Sequence, residues 1–364
     1  MDSTNTDSDG RIRVLVVGAG HMGTSHALAF DAIPDFEVCG IVTRGESGAR
    51  LAEQLGGVAH LRDFGEALDT IRPDAVAIAS FAETHVPFAR QALEAGCHVF
   101  VEKPLADSVA DAKELVALAA ERDRALVVGY ILRHHPSWQR FVEIARGLGR
   151  PLVMRMNLNQ QSVGSEWATH RSIMATTSPI VDCGVHYVDV MRQITRSGVV
   201  SVHAIGARLT DDLVDGMYNY GQLQLTFEDG SVGWYEAGWG PMMSETAFFI
   251  KDVIGPDGAV SIESGHESEG NDSSDVGGHT ATNVIRHHHA ELNSDGNPVR
   301  GDDLIQTNDE PDHDALCRLE QEWFLGAIRG SVDVSEHLED VIISLEIVLA
   351  ADESVRTGQV VALH

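Results

Sequence analysis

Residues 11–23 read RIRVLVVGAGHMG, and this stretch restricts the possible folds most sharply. A continuous apolar run of strand length ends in Gly18-Ala19-Gly20-His21-Met22-Gly23, and the pattern turns helical over 21–31. A strand that is apolar on both sides is buried on both faces, as in a parallel sheet covered by helices. That setting gives the G-x-G-x-x-G spacing its meaning. Gly18 permits a tight turn, and Gly20 lets backbone N–H groups approach a pyrophosphate at the helix N-terminus. Gly23 lets the helix pack on the sheet, and His21 and Met22 complete the turn. A plain strand–turn–helix is the alternative.

Strand and helix patterns go on alternating. FEVCGIV (36–42), DAVAIAS (74–80), CHVFVEK (97–103) and ALVVGY (125–130) read as strands. Helices are expected over 46–55, 64–71, 84–95 and 107–122. The expectation is a doubly wound parallel sheet over 11–130, preceded by a disordered acidic tail at 1–10.

The pattern changes after RHHPSW (133–138). A helix near 137–147 precedes strands at 151–160, 199–209, 218–230 and 231–239, the last two meeting in a hairpin at Asp229-Gly230. A second hairpin is expected over 248–262 and a final helix over 336–356. Residues 131–364 thus form a second domain of α+β type, with a large, mostly antiparallel sheet, expected to bind substrate and mediate oligomerisation. Segment 263–315 is polar and acidic and carries His266, His279, His287, His288, His289 and His313. It lacks paired ligand spacings and is read as a solvated insertion without metal.

No apolar run approaches the roughly 18–20 residues of a membrane span, and the acidic start resembles no targeting peptide. A cytoplasmic location is expected. The four scattered cysteines form no CxxC pair, which argues against a disulfide framework or a zinc site. A net charge of −29 repels nucleic acid and anionic membranes, so neither is an expected partner. With only three lysines (Lys103, Lys113 and Lys251), the balance fits adaptation to high salt better than a GC-rich genome alone.

The tip of the second strand reads Ile41-Val42-Thr43-Arg44, without the carboxylate that usually meets the adenine ribose. A hydroxyl and a guanidinium suit a 2′-phosphate, so NADP is favoured over NAD, although Arg44 stacked on adenine would serve either. The strand at 97–103 runs out into Glu102-Lys103-Pro104, at the end of the sheet where ligands bind. Further on, VDCGVHYVD (181–189) sets Asp182, His186 and Asp189 on one face if helical. Such a face could bind a metal, move protons or form a buried cluster.

These elements resemble the Gfo/Idh/MocA oxidoreductases. The likeness rests on GAGHMG (18–23), AETHVPFARQALEAGCHVFVEKPLADS (82–108), VVGYILRHHP (127–136), DCGVHYVD (182–189) and ADESVRTGQVV (351–361), in order along nearly the whole chain. The resemblance implies a Rossmann domain, a C-terminal domain with a large open sheet, and sheet-mediated homodimers or homotetramers. It makes Lys103 the substrate-hydroxyl lysine, Glu102 its neighbour near the nicotinamide ribose, and Asp182 and His186 the catalytic acid and histidine. Thr84 and His85 match the helix start beneath the nicotinamide, with Ser80 at the strand tip before it. Tyr130, Arg133 and His134 fall where relatives line the site. Thr177-Ser178-Pro179 departs from the Gly-Gly run common there.

The expected function is oxidation or reduction of a secondary alcohol on a sugar, polyol or derivative, using NADP or NAD. His186 would take the hydroxyl proton, Lys103 would stabilise the developing alkoxide, and Asp182 would bind a second hydroxyl or orient His186. Asp189 would support the helix from behind. Trp167, Trp234 and Trp239 could stack on a sugar face or serve as core, and Arg155, Gln160, Gln161, His170, Arg171 and Tyr235 are further pocket candidates. A redox-neutral glycosidase that retains NAD and a non-catalytic sugar sensor are the competing readings.

Overall fold

The computed structural model describes residues 10–244, 250–263 and 280–363. Residues 1–9 of the expected tail at 1–10, together with His266 and His279, lie outside the described residues. The chain divides into two compact units: residues up to Ile131 with Asp312–Ile342, and Leu132–Pro311 with Ile343–His364.

The first unit holds six parallel strands: β1 (Ile12–Val17), β2 (Phe36–Val42), β3 (Ala59–Leu61), β4 (Ala75–Ile78), β5 (His98–Val101) and β6 (Leu126–Val128). Their order is β3-β2-β1-β4-β5-β6, so strand order reverses between β1 and β4. Helices α1 (His21–Asp31), α2 (Glu46–Gln54), α3 (Phe64–Ile71), α4 (His85–Glu94) and α5 (Val109–Glu121) follow the periodicity closely. Ser108 caps α5, its hydroxyl accepting from the Asp111 backbone N–H at 3.1 Å, a cap worth about 1 kcal/mol.

This unit's first segment ends at Ile131, and the chain returns to it over Asp312–Ile342. Helix α9 (His313–Ile328) packs Phe324 among Phe30, Phe36 and Phe100. Phe30, Phe100 and Phe324 are 0% exposed, so truncating any one costs about 3–5 kcal/mol.

The second unit is built on nine strands in the order β14-β13-β12-β11-β7-β10-β9-β8-β15. They are β7 (Val153–Gln161), β8 (Val199–Ala207), β9 (Tyr220–Phe227), β10 (Val232–Gly240), β11 (Lys251–Gly255), β12 (Gly258–Glu263), β13 (Val284–His289), β14 (Asp303–Gln306) and β15 (Val361–Ala362). All pairings are antiparallel except β7 with β10. Gly230 makes the expected β9–β10 turn at φ +82°. Helices α6 (Pro136–Arg146), α7 (Gly164–Ile173), α8 (Val185–Thr195) and α10 (Ser335–Thr357) complete the described set, with the division between units falling inside α10. β13 and β14 correct the reading of 263–315 as a solvated insertion: Ile285 is 0% exposed and anchors a sheet edge there.

Candidate active site

In the first unit, the carboxyl ends of β1, β4 and β5 deliver the fingerprint turn, Ser80 and Glu102-Lys103. Gly18 sits at φ +105°, and a Cβ there would come within 2.3 Å of the Ala79 carbonyl oxygen. At Gly23 a Cβ would meet the Gly18 carbonyl oxygen at 2.5 Å, so only glycine lets α1 start this close to the turn. At Gly20 a Cβ would meet nothing within 4 Å. Gly20 caps α1 without a side-chain hydrogen bond, and the first turn carries no acid. Its orphan N–H groups and open approach fit a dinucleotide pyrophosphate. His21 is exposed and Met22 half-buried beside them.

Around the turn, Ser80 Oγ and Thr84 Oγ1 lie 2.6 Å apart, and Thr84 donates to the Phe81 carbonyl. His85 is 1% exposed, its Nδ1 2.7 Å from the Pro104 carbonyl oxygen and its Nε2 3.1 Å from that of Ser80. It therefore ties the end of β4 to the Glu102-Lys103-Pro104 turn. Lys103 is half-buried between buried Glu102 and buried Pro104. Glu102 departs from expectation: its carboxylate turns inward, Oε1 lying 2.6 Å from His26 Nε2, and Oε2 accepts from the Lys103 backbone N–H at 3.2 Å. The β2 tip leaves Arg44 exposed and Thr43 half-buried.

In the second unit the 181–189 motif is not a plain α-helix. Ile180–Gly184 forms a π turn, and α8 begins at Val185. Gly184 is required there, because a Cβ would meet the Tyr235 ring at 2.8 Å. Buried Ser178 starts the segment: its hydroxyl accepts from the Val181 N–H at 3.1 Å and donates to Asp352 at 2.7 Å. Across 180–192 every residue is buried except Asp182 and His186. These two polar groups are the part of the segment offered to solvent.

Asp189, three positions after His186 in α8, is buried instead. It is 1% exposed and receives both guanidinium edges of Arg133. The contact ties α8 to the 131–133 turn. Burial, then the Arg133 charge, pushes His134 down to about 4.

Several pocket candidates prove to be core. In the first unit Tyr130 is 1% exposed, edge-on to His337. Trp167 packs with Met174, Cys183, Leu213 and Trp239, and Tyr235 is stacked on Tyr187. Trp239 Nε1 donates to Gln160 at 2.6 Å and its ring stacks on His170. Arg171 lies over the Trp167 ring, Arg155 pairs with Asp252, and Gln161 stays half-buried. Trp234 alternates with buried Tyr235 and so lies on the opposite sheet face.

The histidine tract also acquires a scaffold that its sequence did not reveal. His287 and His289 share one face of β13, with Asp303 across on β14. Arg300 donates to His289 Nδ1 and Nε2 faces Asp303 at 2.7 Å, so both His289 nitrogens are engaged within the protein.

A Rossmann sheet with an open fingerprint turn and a lysine at its strand tips defines a dinucleotide-dependent oxidoreductase, and the second unit carries a half-buried Asp–His pair. Two family models give the class its name: the NAD-binding Rossmann model of the oxidoreductase family matches residues 12–130, and its C-terminal domain model matches 144–251. The chain belongs to the Gfo/Idh/MocA family.

The scyllo-inositol 2-dehydrogenase (NAD(+)) of Bacillus subtilis is 26% identical over 368 residues, covering 97% of this chain and 96% of that protein. The UDP-N-acetylglucosamine 3-dehydrogenase of Acidithiobacillus ferrooxidans is 28% identical over 206 residues, 56% of this chain and 61% of that one. Among solved structures, GenD2 from gentamicin A biosynthesis, in complex with NAD, has a TM-score of 0.77 at 23% identity, covering 100% of this chain and 99% of that one. Scyllo-inositol dehydrogenase from Lactobacillus casei, with NAD(H) and scyllo-inositol, has a TM-score of 0.74 at 21% identity, covering 97% and 99%. The structural likeness shows the shared fold.

Among the described residues, no helix is long and apolar enough to cross a membrane.

Proposed function

We propose that the chain is an NAD(P)-dependent dehydrogenase or reductase acting on a secondary alcohol carbon of a sugar, polyol or derivative. The observation that carries this reading is the selective exposure of Asp182 and His186 in an otherwise buried segment. A bound nicotinamide dinucleotide supplies the hydride chemistry. His186 accepts the hydroxyl proton in the oxidative direction and returns it in the reductive one. Lys103 donates a hydrogen bond to the same substrate oxygen and stabilises alkoxide character. Asp182 accepts from a neighbouring hydroxyl, a contact that selects for polyhydroxylated ligands. The names of the relatives, dehydrogenases of inositols and of a nucleotide sugar, support that substrate class.

NADP is the proposed cofactor, because the β2 tip presents exposed Arg44 and no carboxylate before Glu46. A homodimer or homotetramer is proposed from the sheet face where Val153, Val232 and Ile254 are exposed by about 40% on adjacent strands. The acidic balance supports a cytoplasmic protein working at high salt.

The test is a panel of inositols, sugars and nucleotide sugars with each cofactor, followed by nicotinamide absorbance. Accumulation of reduced cofactor with one polyol class, at a lower KM for NADP than for NAD, supports the reading. Cleavage of a glycoside without net reduction, or binding without turnover, contradicts it.

A further inference from the structure

Within the first unit α9 packs against α1, and that contact buries chemistry the proposed reaction does not use. His313, Cys317 and Glu320 stand at i, i+4 and i+7 on α9, so all three share one face of the helix. His26 comes from α1. A His26 ring nitrogen, Cys317 Sγ and a Glu320 carboxylate oxygen all lie within 4.8 Å of one another. His26 and Cys317 are 0% exposed and Glu320 1%. His313, half-buried beside them, has its Nε2 3.6 Å from Sγ.

Two buried polar groups here lack what burial normally demands. Neither carboxylate oxygen of Glu320 has a hydrogen-bond partner among the described residues. A buried carboxyl group is ordinarily hydrogen-bonded, paired with a charge or bound to a metal, because nothing else replaces the water it has lost. Gln321, also 0% exposed, leaves its Oε1 without a partner, while its amide nitrogen lies 3.0 Å from His26 Nδ1. A half-turn of that amide sets the orphan oxygen on Nδ1, where it accepts the ring hydrogen of an imidazole whose Nε2 holds a metal. An ion on Nε2 takes the place of the Glu102 Oε1 contact at 2.6 Å.

We propose that His26, Cys317 and Glu320, with His313 as the fourth ligand, form a structural zinc site that fastens the returning segment 312–342 to α1. Thiolate and imidazole select zinc over magnesium or calcium, which take oxygen ligands. With Zn–N of about 2.0 Å and Zn–S of about 2.3 Å, ligand atoms on a tetrahedral zinc stand roughly 3.3–3.8 Å apart. The His313–Cys317 separation falls in that range, and the other three atoms need only draw together modestly. Four protein ligands leave no open position, so the ion holds structure rather than substrate. Its binding free energy adds to folding, since the unfolded chain keeps the two helices apart. The ligands come from distant helices, so no CxxC spacing announces them.

The test uses the full chain. Purified without chelator, it should carry close to one zinc per chain by elemental analysis. Stripped with EDTA, it should melt several degrees lower and recover with zinc chloride but not with magnesium chloride. Cobalt(II) added to the stripped chain should give a thiolate-to-cobalt charge-transfer band that Cys317→Ala lacks. Glu320→Gln, which keeps the size of the side chain, should match wild type by circular dichroism and bind zinc at least about 100-fold more weakly in a competition titration. A chain that neither carries nor takes up one zinc overturns the proposal. Uptake that survives both Cys317→Ala and Glu320→Gln and is lost in His287→Ala puts the ion at His287, His289 and Asp303 and overturns it too. None of these measurements needs substrate, so their outcome is separate from that of the enzyme reading.

Discussion

Arg133 grips Asp189 through both edges of its guanidinium, Nε lying 2.8 Å from Oδ2 while Nη2 bonds Oδ1. Gln193 adds a third donor to the same carboxylate at 2.9 Å. The ion pair anchors α8, which carries His186 three positions before Asp189, to the segment just after Ile131. Removing one member strands a buried charge. Arg133→Leu should therefore destabilise the second unit by about 3–5 kcal/mol in urea unfolding, while the Arg133→Leu/Asp189→Leu double variant loses markedly less. Additive losses would show that the two groups act independently.

His85 bridges the carbonyls of Ser80 and Pro104, so its ring sets where the Lys103 turn leaves β5. His85→Ala should lower kcat roughly 10- to 100-fold and leave dinucleotide affinity, measured by fluorescence titration, close to wild type. Loss of affinity with kcat intact would instead make His85 a direct cofactor contact.

Lys251 is 2% exposed, its ammonium 5.6 Å from the Tyr187 ring centroid, and burial pushes it down to about 7 from 10.5. Between those two values the unfolded chain binds the extra proton, so stability rises with pH across that window and is lowest below it. Lys251→Met should accordingly raise Tm more at pH 6 than at pH 9. An equal gain at both pH values would indicate a side chain that stays charged in the fold.

With a net charge of −29, self-repulsion is strongest in dilute buffer. Raising KCl from about 0.1 M to about 1 M shortens the screening length from roughly 10 Å to 3 Å and should raise Tm by several degrees. A flat or falling Tm would remove the argument for salt adaptation.

The sequence made the first unit legible because each buried strand and helix there carries its own local periodicity. The β1 turn, the Glu102-Lys103-Pro104 tripeptide and the 181–189 motif could be placed for the same reason. What escaped depends on distant partners. A π turn at Ile180–Gly184 alters no composition signal, and only Tyr235 beneath Gly184 reveals why the helix begins that way. Helix α9 was missed because Glu320 and Gln321 are polar residues on its buried face, which breaks the amphipathic pattern. Gln321 meets His26 from 295 positions away, beyond any window. Strands β13 and β14 are short, polar and at a sheet edge, where alternation carries little information. Trp167, Trp239 and Tyr130 looked available because residue type alone does not report burial.

The account depends most on Lys103 as the group that stabilises charge on the substrate oxygen. The direct test is Lys103→Met, which keeps the length of the side chain and removes its ammonium, assayed with the best polyol substrate beside a dinucleotide titration. The account predicts a loss of at least about 100-fold in kcat with cofactor affinity within about threefold of wild type. Turnover equal to wild type, with the cofactor still bound, would contradict it.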